Sequence, residues 1–311
     1  MHPSYLLHGV CTALLAAAIV PAIPSYNPTS NHEGFDDASV ALSTGGRAVC
    51  ITGNVRVTAS TNANERILLR EPANQVEVTE NIVEYLQTNS RLAVEANGGA
   101  STVSGTYTIN AKLCYPKGWS PQKSSNTLQF LVHGIAFDKS YWDLAKGYSF
   151  VDIAAAAGYP TFSYDRLGIG LSDHPDPIQV VQSPLQVEIA HSLIQSLRTG
   201  KIGGHRFNHV VGVGHSFGSN QVAGVTALYP KDFDAIVLTG FSLRYNDIPL
   251  AVAGFNSAIA SRNQPSRFGN LSNGYLVTDT IISNQFAYVR FPNFDPTRKQ
   301  HQLLSVSSNF H

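Results

Sequence analysis

The sequence predicts an α/β fold, a mostly parallel sheet flanked by helices. Between Leu128 and Leu238, short apolar runs alternate with stretches of helical periodicity. That rhythm is how crossover units joining parallel strands read in sequence. The runs Phe130-Leu131-Val132 and Ala235-Ile236-Val237-Leu238 are unbroken by polar residues, as in strands buried on both faces. The chain has 311 residues, 43% of them apolar, enough to bury a sizeable core in one large domain or two modest ones.

The elements follow in chain order. Val10 to Ile23 is almost wholly apolar, and no Lys or Arg precedes Arg47. The run is 14 residues long, short of the roughly 20 needed to span a bilayer. Residues 1–22 are therefore read as a cleaved secretory signal, with an uncleaved anchor or a buried helix as the alternative. Residues 23–49 are expected to form an extended N-terminal arm, and 50–311 the folded domain. Ile51 to Ser60 alternates as a strand does, and Thr106 to Tyr115 does so again before Pro116. Asn74 to Ala96 has helical spacing, with Thr79 as a candidate cap.

Leu128 to Val132 is a strand, Tyr141 to Ala157 a helix, and Pro160 to Tyr164 a strand. Ser183-Pro184-Leu185-Gln186 reads as a capping box with proline at the first helical position. Leu185, Ile189, Leu193 and Leu197 form the apolar stripe of that helix, and Gly200 suits its C-terminus. Val210 to Val213 is a strand, Ser219 to Leu228 a helix and Phe233 to Leu238 a strand. Beyond Gly240 the rhythm stops; a short helix is expected at Leu250 to Ser261.

Charge and cysteine usage narrow the partners. Lys plus Arg and Asp plus Glu are 21 each, so no basic surplus points to nucleic acid. Without the leader, Cys50 and Cys114 remain, and in an oxidising compartment they can pair; two buried thiols are the alternative. Asn270-Leu271-Ser272 is a glycosylation sequon. The resulting expectation is a secreted, extracellular protein with no stable membrane anchor.

The chemistry concentrates at Gly214-His215-Ser216-Phe217-Gly218, between an apolar run and a helical one. That context fits a nucleophile elbow. Side chains two residues either side of the serine would collide in so sharp a turn, and glycine removes them. The following helix points its N-terminus at the serine and favours developing negative charge. A dinucleotide loop is the rival, but Phe217 occupies the position where the third glycine is required.

His133-Gly134-Ile135-Ala136 follows the first strand of this region. An acyl-transfer site needs two backbone N–H groups facing the oxyanion, and Ile135 and Phe217 are nominated. Asp165 and Arg166 open the loop DRLGIGLS and are expected to fix it by hydrogen bonds and an ion pair. His205 and His209 have metal-like spacing but lack the glutamate of a zinc motif, and are read as surface residues.

In this order, the HG loop, the DRLGIGLS loop and the GHSFG elbow resemble the α/β-hydrolase superfamily, in particular its secreted serine hydrolases. The resemblance covers Thr106 to Gly240. It implies an eight-stranded, mostly parallel sheet, a triad in the order serine, acid, histidine, and a lid between strands six and eight. No cofactor or metal is implied. Residues 243–296 are lid-like, with Gly274 to Pro296 the most similar part, and 297–311 form a tail.

Only 95 residues follow Ser216, and the lid-like region takes most of them. The sheet is therefore expected to lack its last two strands. His301 and His311 are the candidates for the base, and neither follows a strand; Asp247, shortly after the strand Phe233 to Leu238, is the candidate acid in an alternative arrangement. His133 is expected to fix the HG loop, and His215 to point away from the serine hydroxyl. Two readings stand: a serine hydrolase cleaving a small-molecule ester, lipid or amide through an acyl-enzyme on Ser216, or a shortened, catalytically silent binding relative.

Overall fold

The computed structural model describes residues 31–122, 125–244 and 248–288. The leader 1–22, the tail 297–311, Asp247, His301 and His311 lie outside the described residues.

β1 (Asp36–Leu42) lies antiparallel to β2 (Ala48–Ile67). The stretch read as an arm thus contributes an edge strand. Its turn is shaped by a side chain far along the chain: buried Asp152 accepts from the Gly45 and Arg47 N–H groups and from Ser43 Oγ. α1 (Gln75–Leu86) and α2 (Leu92–Glu95) precede β3 (Asn97–Pro116). β2 and β3 pair antiparallel from Ala48↔Pro116 to Ile67↔Asn97, much longer than the expected 51–60 and 106–115. Cys50 and Cys114 face each other in that ladder, buried and disulfide-bonded.

The single helix expected over 74–96 is two. Asn74, not Thr79, caps α1, its Oδ1 accepting from Glu77 N–H at 3.1 Å. Thr79 instead donates back to the Gln75 carbonyl. The backbone turns extended at Gln87 and restarts helical only at Leu92.

β4 (Thr127–Val132) is followed by a 3-10 turn over Lys139–Trp142 and a small hairpin, β5 (Asp143–Ala145) with β6 (Tyr148–Ser149). Only then does α3 (Phe150–Ala156) begin, so the helix expected from Tyr141 starts nine residues late. Gly147 at φ +85° makes the hairpin turn, and Ser149 Oγ caps α3 by accepting from Asp152 N–H. β7 (Thr161–Tyr164) leads to α4 (Ser183–Thr199). Gln182 is the N-cap residue and no capping box forms, because Ser183 Oγ accepts from Gln221 Nε2 at 2.7 Å. Gly200 ends α4 at φ +78°.

β8 (His209–His215), α5 (Phe217–Leu228) and β9 (Ala235–Thr239) complete the main sheet, of order β1-β2-β3-β7-β4-β8-β9. β7, β4, β8 and β9 are parallel, and the first three strands antiparallel. Strand alternation divides the core between the two faces. Leu128, Phe130 and Val132 meet the α4 stripe, all four leucine and isoleucine residues of which are at most 1% exposed. Leu131 faces the other way, with Cys50, Cys114, Trp142, Val151 and Val213. Each such side chain contributes roughly 1.5–3 kcal/mol through burial. On β9, Ile236 and Val237 remain exposed.

The remaining segment forms α6 (Ile248–Phe255), β10 (Ser257–Ile259), α7 (Ala260–Asn263), α8 (Pro265–Phe268), β11 (Leu276–Thr278) and α9 (Ile281–Tyr288). β10 interrupts the helix expected over 250–261 and pairs with β11. Gln75 at the start of α1 bonds the Ser257 carbonyl and the Ile259 N–H, joining this segment to the insertion between β2 and β3. Asn270 of the sequon is exposed.

Candidate active site

β8 ends at His215, and Ser216 makes the turn into α5. Its backbone sits at φ 53°, ψ −121°, a region that side-chain-bearing residues rarely occupy. The turn closes against its neighbours. A Cβ on Gly214 would lie 2.5 Å from Ser219 Cα, and one on Gly218 would collide with the Val132 carbonyl. β9 braces the same turn: Ser216 N–H and Ser219 Oγ both donate to the Thr239 carbonyl, and Thr239 Oγ1 donates to the Gly214 carbonyl.

The loop after β4 comes up beside the serine. A Cβ on Gly134 would lie 3.1 Å from Ser216 Cβ, so glycine lets the two segments touch. Ala136, next along, is at φ 61°. Among the described residues neither the Ile135 nor the Phe217 N–H donates to a protein acceptor. Ser216 Oγ has no hydrogen-bond partner among them either, no described histidine included.

His133 is wholly buried beneath this loop. Its Nε2 accepts from Arg166 N–H at 3.1 Å, and its Nδ1–H donates to the Gly134 carbonyl at 2.9 Å. These partners fix the neutral tautomer. Burial, helped by the nearby Arg166 charge, holds its pKa well below the ordinary value. His215 donates from Nδ1 to Thr239 Oγ1 and stacks on Tyr141 with ring centroids 4.9 Å apart; burial lowers its pKa too.

Asp165 fixes its loop, but its ion-pair partner is Lys139, at 2.6 Å, rather than Arg166. It also accepts from the Lys139 and Leu171 N–H groups. Arg166 points inward to Gln186, Gly134 and the ring of Phe217. His205 and His209 do not converge. His205 bonds Asn126 and is half-buried against Trp119 and Phe207, contrary to its expected surface position, because those rings leave a slot for it. His209 pairs with Asp234.

Residues 129–304 match the model of the Alpha/beta hydrolase family. The chain belongs to this family. No curated protein matches it in sequence. Among solved structures, it is similar to an alpha/beta hydrolase from Novosphingobium aromaticivorans, at 11% identity and TM-score 0.41, over 66% of this chain and 65% of that one. It is similar to an epoxide hydrolase from Vigna radiata, at 19% identity and TM-score 0.33, over 52% and 45%. It is also similar to an epoxide hydrolase from an endophytic Streptomyces, at 22% identity and TM-score 0.31, over 43% and 33%. The matched part spans less than two thirds of each of these chains.

Within this alpha/beta hydrolase, sequence reasoning missed the residues that hold the site from outside its motifs. Tyr288 of α9 donates to the Ile135 carbonyl at 3.3 Å, and its ring lies 5.0 Å from Phe137 and 5.4 Å from Phe255. Burial raises the Tyr288 phenol pKa. No spacing rule links Tyr288 to Ile135, 153 positions away. An apolar cavity of about 350 Å³, lined by Val78, Ile82, Tyr85, Ile178, Val252 and Leu276, lies between α1 and the segment after β9; Ser216 does not line it.

Proposed function

We propose that this hydrolase cleaves an ester, lipid or amide bond of a small molecule through an acyl-enzyme on Ser216. The observation that carries the reading is the strained backbone of Ser216, held by two glycines between β8 and α5. Such strain persists only where surrounding structure over-determines it, and it clusters at reactive residues. Ser216 Oγ attacks the substrate carbonyl. The oxyanion takes hydrogen bonds from the Ile135 and Phe217 N–H groups, which are free of protein acceptors among the described residues. A base outside the described residues takes the hydroxyl proton and returns it to the leaving group, with His301, His311 and Asp247 the sequence's candidates for base and acid. A serine nucleophile favours acyl transfer over the carboxylate-ester chemistry of epoxide opening. Export is part of the same reading, supported by the leader-like run before residue 23 and by the Cys50–Cys114 bridge.

A fluorophosphonate probe tests it. Stoichiometric modification of Ser216 in the full chain, abolished by Ser216→Ala, is the expected result. Turnover of an activated ester should fall about a million-fold in the same variant. A folded wild-type chain that never reacts would leave the silent binding relative as the reading.

A further inference from the structure

Arg166 is 4% exposed, yet among the described residues it has no carboxylate partner. The neighbouring Asp165 is committed to Lys139. Burying a guanidinium without a counter-ion is expensive, and an apolar side chain of similar size would avoid the cost. What surrounds Arg166 shows where its charge is directed. Nη2 donates to the Gly134 carbonyl at 3.2 Å, and Nη1 to Gln186 Oε1 at 2.8 Å. The guanidinium carbon lies 4.7 Å from the centroid of the Phe217 ring. The backbone N–H donates to His133 Nε2, leaving the His133 Nδ1–H to donate to the same Gly134 carbonyl.

The Gly134 carbonyl and the Ile135 N–H belong to one peptide unit. In a trans peptide they point in opposite directions, so two donors on the carbonyl fix the direction of the N–H. A cation on the carbonyl also polarises the peptide and strengthens its N–H as a donor. The other nominated donor is the N–H of Phe217, the residue whose ring the same guanidinium covers.

We propose that Arg166 is a positioning residue for the oxyanion site, aligning the Gly134–Ile135 peptide through its carbonyl and Phe217 through its ring. The inference rests on the acyl-transfer reading of Ser216. Burial pushes the Arg166 pKa down only to about 10, so the side chain stays cationic at neutral pH. Arg166 does not touch the substrate; it acts through two backbone donors, and these matter most when charge develops on the substrate oxygen.

The test compares the wild type with Arg166→Met, Arg166→Lys and Gln186→Met in the full chain, each checked by thermal melt. Arg166→Met should slow fluorophosphonate labelling of Ser216 by about 100-fold or more, and lower kcat on a p-nitrophenyl ester with KM little changed. Arg166→Lys keeps the charge but loses the fork, and should fall about 10-fold. Gln186→Met, which frees one arm of the guanidinium, carries the test if Arg166→Met does not fold, and should fall in the same direction. Amide hydrogen exchange gives a readout independent of Ser216 chemistry: residues 133–137 should exchange faster in Arg166→Met, with 185–197 unchanged. A folded Arg166→Met with wild-type labelling and wild-type exchange at 133–137 overturns the proposal. If wild-type Ser216 never labels, the acyl-transfer reading falls and takes the oxyanion role with it, and the exchange result then decides by itself whether Arg166 holds the Gly134–Ile135 peptide: faster exchange supports that, and unchanged exchange overturns it.

Discussion

Gly218 lies directly against Val132: a Cβ at 218 would enter the van der Waals shell of the Val132 carbonyl oxygen. The first turn of α5 and the end of β4 therefore meet backbone to backbone. The contact brings the loop that carries Ile135 beside the turn that carries Ser216.

Gly218→Ala should force these elements apart. Backbone atoms cannot rotate away as a side chain can, so the cost should be about 3 kcal/mol, at the upper end for overpacking. A thermal melt measures the loss. Labelling of Ser216 should slow as well, because the shift displaces both proposed oxyanion donors.

Ser216→Gly should abolish labelling yet raise the melting temperature. A side-chain-bearing residue at φ 53°, ψ −121° stores about 1–3 kcal/mol of strain. Glycine relieves it but costs about 0.5–1 kcal/mol through a freer unfolded chain. Ser216 makes no side-chain cap hydrogen bond to α5, so nothing else is lost. The expected net gain is about 1 kcal/mol; a loss of stability would show that the serine is not strained.

Cys50→Ala with Cys114→Ala should lower stability by about 4 kcal/mol. The bridge closes a loop with a sequence separation of 64, and the entropy of the open chain sets that size. Denaturant unfolding with and without reductant checks it, since only the wild type should respond.

Acid should destabilise the fold in two stages. Burial first, then the Arg166 charge, keep the His133 pKa in the folded chain well below its unfolded value of about 6.5. A base with a depressed folded pKa gives stability that is present above the unfolded pKa and lost as pH falls below it. The slope is about 1.4 kcal/mol per pH unit for one proton. His174, His205 and His215 are shifted the same way by burial and add to it. Burial opposes ionisation of Asp152, but hydrogen bonds from Ser43, Arg47 and Gly45 outweigh it and hold the carboxyl low. Its contribution is present above about pH 3.9 and is lost as pH falls through the depressed folded value. Stability curves across pH should show both losses, and His133→Gln should flatten the first.

Val237→Lys should improve solubility at high concentration and leave the melt nearly unchanged. Val237 is 47% exposed and Ile236 38%, on a strand whose described partner is β8 alone. Apolar edge strands invite pairing with other chains, and a lysine blunts them. Light scattering of the two proteins is the measurement.

The parallel half of the sheet was legible because its signals are local. Leu128 to Val132, the α4 stripe and Val210 to Val213 each show their burial in their own residues. The far half of the β2–β3 hairpin was not. Thr61 to Ile67 is polar, yet Gln182 bonds both the N–H and the carbonyl of Glu65, and Gln179 does the same for Ile67. Those partners lie more than 100 positions away. The hairpin over 143–149 was hidden for a similar reason: its residues have helical spacing, but Asp143 is drawn to Lys112 of β3 and to the Thr44 N–H. Of the candidate site, Ser216, Ile135 and Phe217 were nominated from glycine spacing and strand ends. Lys139 as the partner of Asp165, Thr239 as the brace and Tyr288 over Ile135 were not, because no spacing rule joins them.

The sequence by itself determined the α/β order and the glycine-framed turn at Ser216. These follow from local sterics: a strand, a turn with no room for side chains, and a helix. Only the tertiary structure decided that Arg166 turns away from Asp165 toward Gly134 and Phe217. It also decided that His133 is neutral and that the polar end of β2 is a strand. Each of those outcomes depends on which group of opposite hydrogen-bonding character or charge lies nearest once the chain is folded, and a buried polar group takes whichever partner the fold brings within reach.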